Sequence, residues 1–120
     1  MRATGALLAL EITWVHVVDQ GDYFYLRNPP YVGWGYRVVE AAGILVAAWL
    51  LSRWQGAWSW LVAAGLAAGP LIGYLLSRTT GLPDYPYDQG NWFEPLGITA
   101  VTAEAVLLVL AIRTFLRLRR

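Results

Sequence analysis

The sequence predicts an all-α protein of the polytopic membrane class, with residues 1–120 forming one antiparallel bundle of four transmembrane helices. Three observations lead to this fold class. Hydrophobic residues make up 58% of the chain and charged residues only 14%, whereas soluble domains carry about 25% charged residues. The mean hydropathy is +0.45. Four segments are apolar over roughly the 20 residues that a helix needs to cross a bilayer.

The four apolar segments are separated by connections that contain charged, Gly and Pro residues, and the first and third connections are long relative to the second. They run over about residues 3–20, 31–52, 57–77 and 93–113. The first segment is the shortest and contains Glu11 and His16, the only histidine. A cleaved signal peptide would also explain an apolar run after Arg2, but Glu11 interrupts the run and no small-residue cleavage motif follows. We therefore expect a retained helix.

The distribution of charge predicts how the bundle lies in the cell membrane. The predicted end that holds both termini carries Arg2, Arg53, Arg113, Arg117, Arg119 and Arg120. The connections at the other end carry Asp19, Asp22, Asp84 and Asp88, with Arg27 and Arg78 as their only positive charges. Because positive charge stays on the cytoplasmic side, we expect both termini in the cytoplasm. Trp49, Trp54, Trp58 and Trp60 would then mark the cytoplasmic interface.

Glycine and proline give further expectations for the helices. Gly65, Gly69 and Gly73 recur every four residues in the third segment, a spacing that lets two helix backbones approach closely in lipid. We expect this face to pack within the bundle, and a homodimer interface is the alternative. Pro70 predicts a bend in the same helix. Pro29 and Pro30 predict an extended entry to the second helix.

Several ionisable residues lie within the predicted helices at a similar depth. At a rise of about 1.5 Å per residue, Arg37 lies roughly 9 Å from the outer end of its helix, Glu11 about 12 Å, Glu40 about 14 Å and Glu104 about 16 Å. Charged groups at such depths almost always turn inward and pair. One arginine cannot neutralise three carboxylates, so we expect at least one of them to carry a proton or to bind a cation. A structural ion pair of Arg37 with Glu40 or Glu11 is the alternative.

Two further pairs are predicted nearer the outer surface. His16 and Asp19 lie three residues apart on one helix face, and the favoured interpretation is a hydrogen-bonded pair that fixes the top of the first helix. Arg78 and Glu94 lie at the same level and are expected to pair across the last connection, as a clamp on that loop. Pro95 suits the first turn of a helix, where its missing N–H costs nothing.

The segment "GYLLSRTTGLPDYP…NWFEPLGITAVTAEAVLL" resembles an uncharacterised group of small four-helix bacterial membrane proteins of actinobacterial type. Matching positions outside the segment are His16, Asp19, Pro30, Tyr31 and Gly33, and those inside it are Ser77 to Pro83, Glu94 to Gly97, and Glu104. Thr80 replaces a usual Val, and Asp84 a usual Gly. The resemblance implies the fold but no chemistry. It favours His16, Arg78, Glu94 and Glu104 as members of one site.

The candidate site for a ligand, proton or cation therefore comprises Glu11, His16, Asp19, Arg37, Glu40, Arg78, Glu94 and Glu104. We expect a membrane protein of binding or accessory type, which holds a small ligand, lipid headgroup or cation, or docks onto a larger membrane complex. A small proton- or cation-coupled transporter is the alternative. No phosphate-binding loop, dinucleotide fingerprint, nucleophile elbow or zincin pattern is present, and cysteine is absent. The sequence thus disfavours an enzyme and predicts no cofactor, while a metal site at His16, Asp19 and Glu94 stays open.

The net charge and the hydrophobic composition indicate which partners to expect. The formal net charge is only +1, which gives no reason to expect a nucleic acid. The lipid bilayer is the expected environment.

Overall fold

A computed structural model describes residues 1–21 and 30–119. Within these ranges the chain forms four helices: α1 (Arg2–Gln20), α2 (Pro30–Leu51), α3 (Ala57–Arg78) and α4 (Pro95–Leu118). Of these, α2, α3 and α4 are long and apolar enough to cross a membrane. The all-helical fold and these three candidate spans confirm the prediction at that level. The predictions for Asp22, Arg27, Pro29 and Arg120 fall outside the described residues.

Proline determines where two of the helices begin. Pro30 is the first residue of α2, one residue earlier than expected, and the extended entry predicted before it falls outside the described residues. A proline in the first turn lacks only an N–H that has no partner inside the helix. α4 begins at Pro95, two residues later than expected, because Glu94 has an extended backbone with ψ of 128°, as the residue before a proline prefers.

α1 and α2 lie in close contact because Gly43 has no side chain. A Cβ atom added at Gly43 would overlap Thr13 Oγ1 and lie 2.8 Å from the carbonyl oxygen of Ala9. Thr13 Oγ1 donates a hydrogen bond of 2.9 Å to the carbonyl oxygen of Glu40. At the ends of the same helices, Arg2 donates to the carbonyl oxygens of Leu50, Leu51 and Ser52 at 2.8–2.9 Å. These carbonyl oxygens receive no hydrogen bond from an N–H group inside α2, so Arg2 caps the C-terminal end of the helix.

The half of the bundle near the termini has a filled core. Trp60 is only 1% exposed, and a Cβ atom at Gly5 would lie 2.8 Å from its ring. Its indole N–H donates to Gln55 Oε1 at 3.1 Å. Trp60 is therefore a core residue, and its predicted interfacial position is wrong, whereas Trp54 and Trp58 are exposed. The core around Trp60 includes Ala6, Ala9, Leu50, Ala63, Leu107 and Ala111.

The glycine stripe of α3 does not pack against another helix of the described chain. No heavy atom lies within 4 Å of a Cβ built at Gly65, Gly69 or Gly73. The close-packing interpretation within the bundle is therefore wrong, since the close contacts of helical glycines occur elsewhere in the described chain, at Gly5, Gly43 and Gly97. The homodimer alternative stays a prediction.

We expect Gly43→Ala to weaken the bundle, because the new methyl group meets the backbone of α1 and pushes Thr13 off its acceptor. Overpacking of this kind costs about 1–3 kcal/mol. The free energy of unfolding can be measured by titrating the detergent-solubilised protein with SDS and following its circular dichroism.

Gly65→Ala is the matched control, since it adds the same methyl group on a helix where nothing lies within 4 Å. It should leave the free energy of unfolding unchanged or raise it, because alanine favours a helix over glycine. Equal losses in both variants would contradict the close approach at Gly43.

Candidate functional site

A cavity of about 480 Å³ lies between the helices, in the half of the bundle that adjoins the connection after α3. Residues of α1 to α4 and of that connection line it. The ionisable residues in its lining are His16, Asp19, Arg78, Asp88, Glu94 and Glu104. The structure thus brings five of the eight predicted site residues to one cavity and adds Asp88.

The cavity exists because glycine occupies the facing parts of α2 and α3. Gly35, Gly69 and Gly73 all line it, and around each of them a Cβ atom would meet nothing within 4 Å. Pro70 adds only a short ring to the same wall. Missing side chains at these positions leave an open space between the helices, whereas the core around Trp60 is filled by side chains.

Arg78 closes the α3–α4 connection at the rim of the cavity. Its side chain is 9% exposed and makes four polar contacts. The guanidinium donates to the carbonyl oxygen of Asn91 at 3.1 Å and to Ser77 Oγ at 2.9 Å. It also pairs with Glu94 at 3.1 Å and with Asp88 at 3.5 Å. The predicted pairing of Arg78 with Glu94 is confirmed.

The ring of Tyr74 covers one face of the Arg78 guanidinium, 4.2 Å from its centroid. The connection itself turns through Gly81, Asp84 and Gly90, which have positive φ angles of 81°, 56° and 75°. The N–H of Gly90 donates to the carbonyl oxygen of Arg78 at 2.8 Å. Because its donors and one face are engaged by the protein, Arg78 is a structural clamp and does not offer an open anion site.

Tyr36 links His16 and Asp19 on the α1 side of the cavity. Its hydroxyl donates to Asp19 Oδ2, and its ring packs edge-on against His16 with centroids 5.1 Å apart. His16 Nδ1 lies 2.8 Å from the carbonyl oxygen of Ile12, so this nitrogen carries the hydrogen and donates. Sequence reasoning missed Tyr36, because a tyrosine in an aromatic-rich helix gives no signal of its direction. The direct His16–Asp19 pair stays a prediction.

Glu104 lies at the deep end of the cavity on α4. It is 1% exposed and lines the cavity. Its Oε1 atom is buried, and no hydrogen-bond donor within the described ranges reaches it. A buried carboxyl oxygen without a donor is costly, so this atom is the feature of the cavity that most needs a partner.

Glu11, Arg37 and Glu40 do not line the cavity. Glu11 is exposed, on the same face as Leu7, Leu10 and Trp14, so its predicted inward position is wrong. The inward face of α1 is set by Ala9, Ile12 and Thr13, which are buried, and Glu11 falls out of phase with them on a helix of 3.6 residues per turn.

Arg37 and Glu40 are half-buried, whereas Glu104 lies in the lining of the cavity. The predicted layer of three carboxylates around one arginine is therefore not assembled. Among residues 1–21 and 30–119, no group of three or more His, Asp or Glu side chains is arranged to hold a metal ion. The metal set considered for His16, Asp19 and Glu94 is thus not formed.

Comparison of the chain with family models, with curated proteins and with solved structures gives no match.

Replacing Arg78 with glutamine should destabilise the protein by about 3 kcal/mol, since it leaves partly buried carboxylates at Glu94 and Asp88 without their cation. Arg78→Lys keeps the positive charge but loses the planar guanidinium that binds several acceptors at once. It should therefore lose less free energy of unfolding than Arg78→Gln, but still some. SDS titration followed by circular dichroism measures both. Arg53→Gln is the control, because the Arg53 guanidinium rests 4.7 Å from the exposed ring of Trp54. If Arg78→Gln lost as little free energy of unfolding as Arg53→Gln, the role of Arg78 as a structural clamp would be contradicted.

Proposed function

We propose that this chain is a small integral membrane protein whose α1 to α4 all cross the bilayer, with both termini in the cytoplasm. The apolar surfaces of α2, α3 and α4 support this. α1 is less apolar, but its 19 residues extend about 28 Å, close to the thickness of the hydrocarbon core. Arg2 and Arg53 belong to one end of the bundle, since Arg2 caps α2 just before Arg53.

Cysteine labelling tests this topology, because the natural chain contains no cysteine. We expect a membrane-impermeant maleimide to label Thr80→Cys on intact cells, and to label Arg53→Cys only after the membrane is permeabilised. Both positions are exposed. The reverse pattern would overturn the orientation, and labelling of both on intact cells would overturn the four-span arrangement.

The function we propose is the binding of a small, largely apolar molecule in the cavity. One observation carries this: a cavity of about 480 Å³ has at its deep end a buried carboxyl oxygen that receives no hydrogen bond from residues 1–21 and 30–119. Ligand sites are typically apolar cavities of about 300–1,000 Å³ with a few polar groups that orient the ligand. The lining has this character, with Val15, Val39 and Leu96 beside the polar side chains.

Two other interpretations receive less support. A lipid phosphate or another anion would need a free cation, and Arg78 is engaged by Glu94, Asp88, Ser77 and Asn91. The transporter alternative now depends on Glu104 alone, because Glu11 and Glu40 lie outside the cavity. The cavity also occupies only one half of the bundle, and the core around Trp60 fills the other half.

Filling the cavity should abolish binding. The probe is 4-fluorobenzyl alcohol, whose binding to the protein in phosphatidylcholine nanodiscs is measured by fluorine NMR line broadening against empty nanodiscs. We expect Gly73→Leu and Ala100→Leu to remove the protein-specific broadening, since both residues line the cavity.

Gly65→Leu adds the same bulk to α3 away from the cavity lining and should bind like the natural protein. No protein-specific broadening in the natural chain, or broadening that survives both filling variants, would overturn the proposed function.

A further inference from the structure

We propose that the cavity takes an organic cation, an ammonium group on an apolar body, with the ammonium donating to Oε1 of Glu104. This inference deepens the proposed function and rests on it. Three independent features of the cavity carry it: the carboxyl group at its deep end, the charge of its lining and the aromatic side chains of its wall.

The carboxyl group of Glu104 needs a donor that the described chain does not supply. Oε1 is buried and has no hydrogen-bond partner there. Arg78 is the arginine of the lining, and its contacts to Glu94, Asp88, Ser77 and Asn91 hold it at the rim. A ligand that brings both a positive charge and N–H donors would satisfy this oxygen, because buried carboxylates are stabilised by paired, hydrogen-bonded cations.

The residues of the lining that the structure describes carry more negative than positive charge. Their carboxyl groups are Asp19, Asp88, Glu94 and Glu104, and the arginine among them is Arg78. Arg78 pairs with both Asp88 and Glu94, and the hydroxyl of Tyr36 donates to Asp19. A cleft lined by one sign of charge with low-dielectric walls concentrates the opposite ion, so the cavity favours a cation over a neutral or anionic molecule.

The wall is aromatic and apolar, which favours an organic cation over a metal ion. Tyr31, Tyr36, Tyr74 and Tyr85 line the cavity, and tyrosine faces attract cations. Tyr74 already holds one cationic group, the guanidinium of Arg78, 4.2 Å from its ring centroid. A metal ion would need several converging oxygen or nitrogen ligands, and no such group of side chains is arranged in the part of the chain that the structure describes.

Three probes that share one fluorinated ring test the inference: 4-fluorobenzylammonium, 4-fluorobenzyl alcohol and 4-fluorobenzoate. Their dissociation constants are measured by fluorine NMR at pH 7 in nanodiscs of zwitterionic phosphatidylcholine, with empty nanodiscs subtracted. We expect the ammonium to bind about tenfold or more tightly than the alcohol, and the benzoate to bind most weakly.

Glu104→Gln should bring the ammonium and the alcohol to about the same affinity while the alcohol still binds. Glu104→Leu is a second variant with the same expected loss of discrimination, and circular dichroism reports whether each variant is folded. Glu11→Gln is the matched control, since it removes a helical carboxylate that is exposed and outside the cavity. It should keep the preference for the ammonium.

The outcomes separate the two proposals. Equal binding of the three probes, removed by Gly73→Leu, would overturn the cation inference and leave the proposed function standing. Absence of binding by every probe would overturn both. A preference for the ammonium that survives in Glu104→Gln and Glu104→Leu would overturn the assignment to Glu104.

Discussion

The ion-paired guanidinium of Arg78 determines the form of the bundle at the end where the cavity lies. Residues 79–94 leave α3 and return to α4, and Arg78 holds this path through Asp88, Asn91 and Glu94. Because Glu94 immediately precedes α4, the same contact holds the first turn of α4 against the end of α3. Buried arginine bound to carboxylates and carbonyls at fixed angles is more directional than an apolar contact. The rim of the cavity and the position of the first turn of α4 therefore depend on one side chain.

The two halves of the bundle are packed differently. In the half with the filled core, small residues on α1 and α2 allow close approach, as at Gly5 of α1 against the ring of Trp60 and at Gly43 of α2 against α1. Toward the other end, glycines of α2 and α3 face a space instead of a neighbour. Glycine thus permits tight helix contact in one half and leaves a cavity in the other. Which of the two results depends on whether the facing helix places side chains or backbone against the glycine.

Hydropathy and proline spacing were sufficient to predict the helices, because the length of an apolar run and the position of Pro95 are local properties of the chain. The Arg78–Glu94 pair was also predictable, since the two residues flank the same connection. The side of a helix that faces the interior is not local. Glu11 was expected inside, yet α1 turns Ala9 and Thr13 inward to meet Gly43. Likewise, Tyr36 and Asp88 join the cavity through tertiary geometry that spacing does not encode.

The glycines that line the cavity also lower helix stability, and this has an evolutionary consequence. Each glycine within a helix is about 1 kcal/mol less favourable than alanine, so Gly35, Gly69 and Gly73 lower the stability of α2 and α3 while no neighbour requires them to be small. A single substitution at any of them would change the volume and shape of the cavity without disturbing the contacts between helices. Variation at these three positions is therefore a route by which descendants of this chain could change the ligand that we propose for the cavity, with stability rising as the space shrinks.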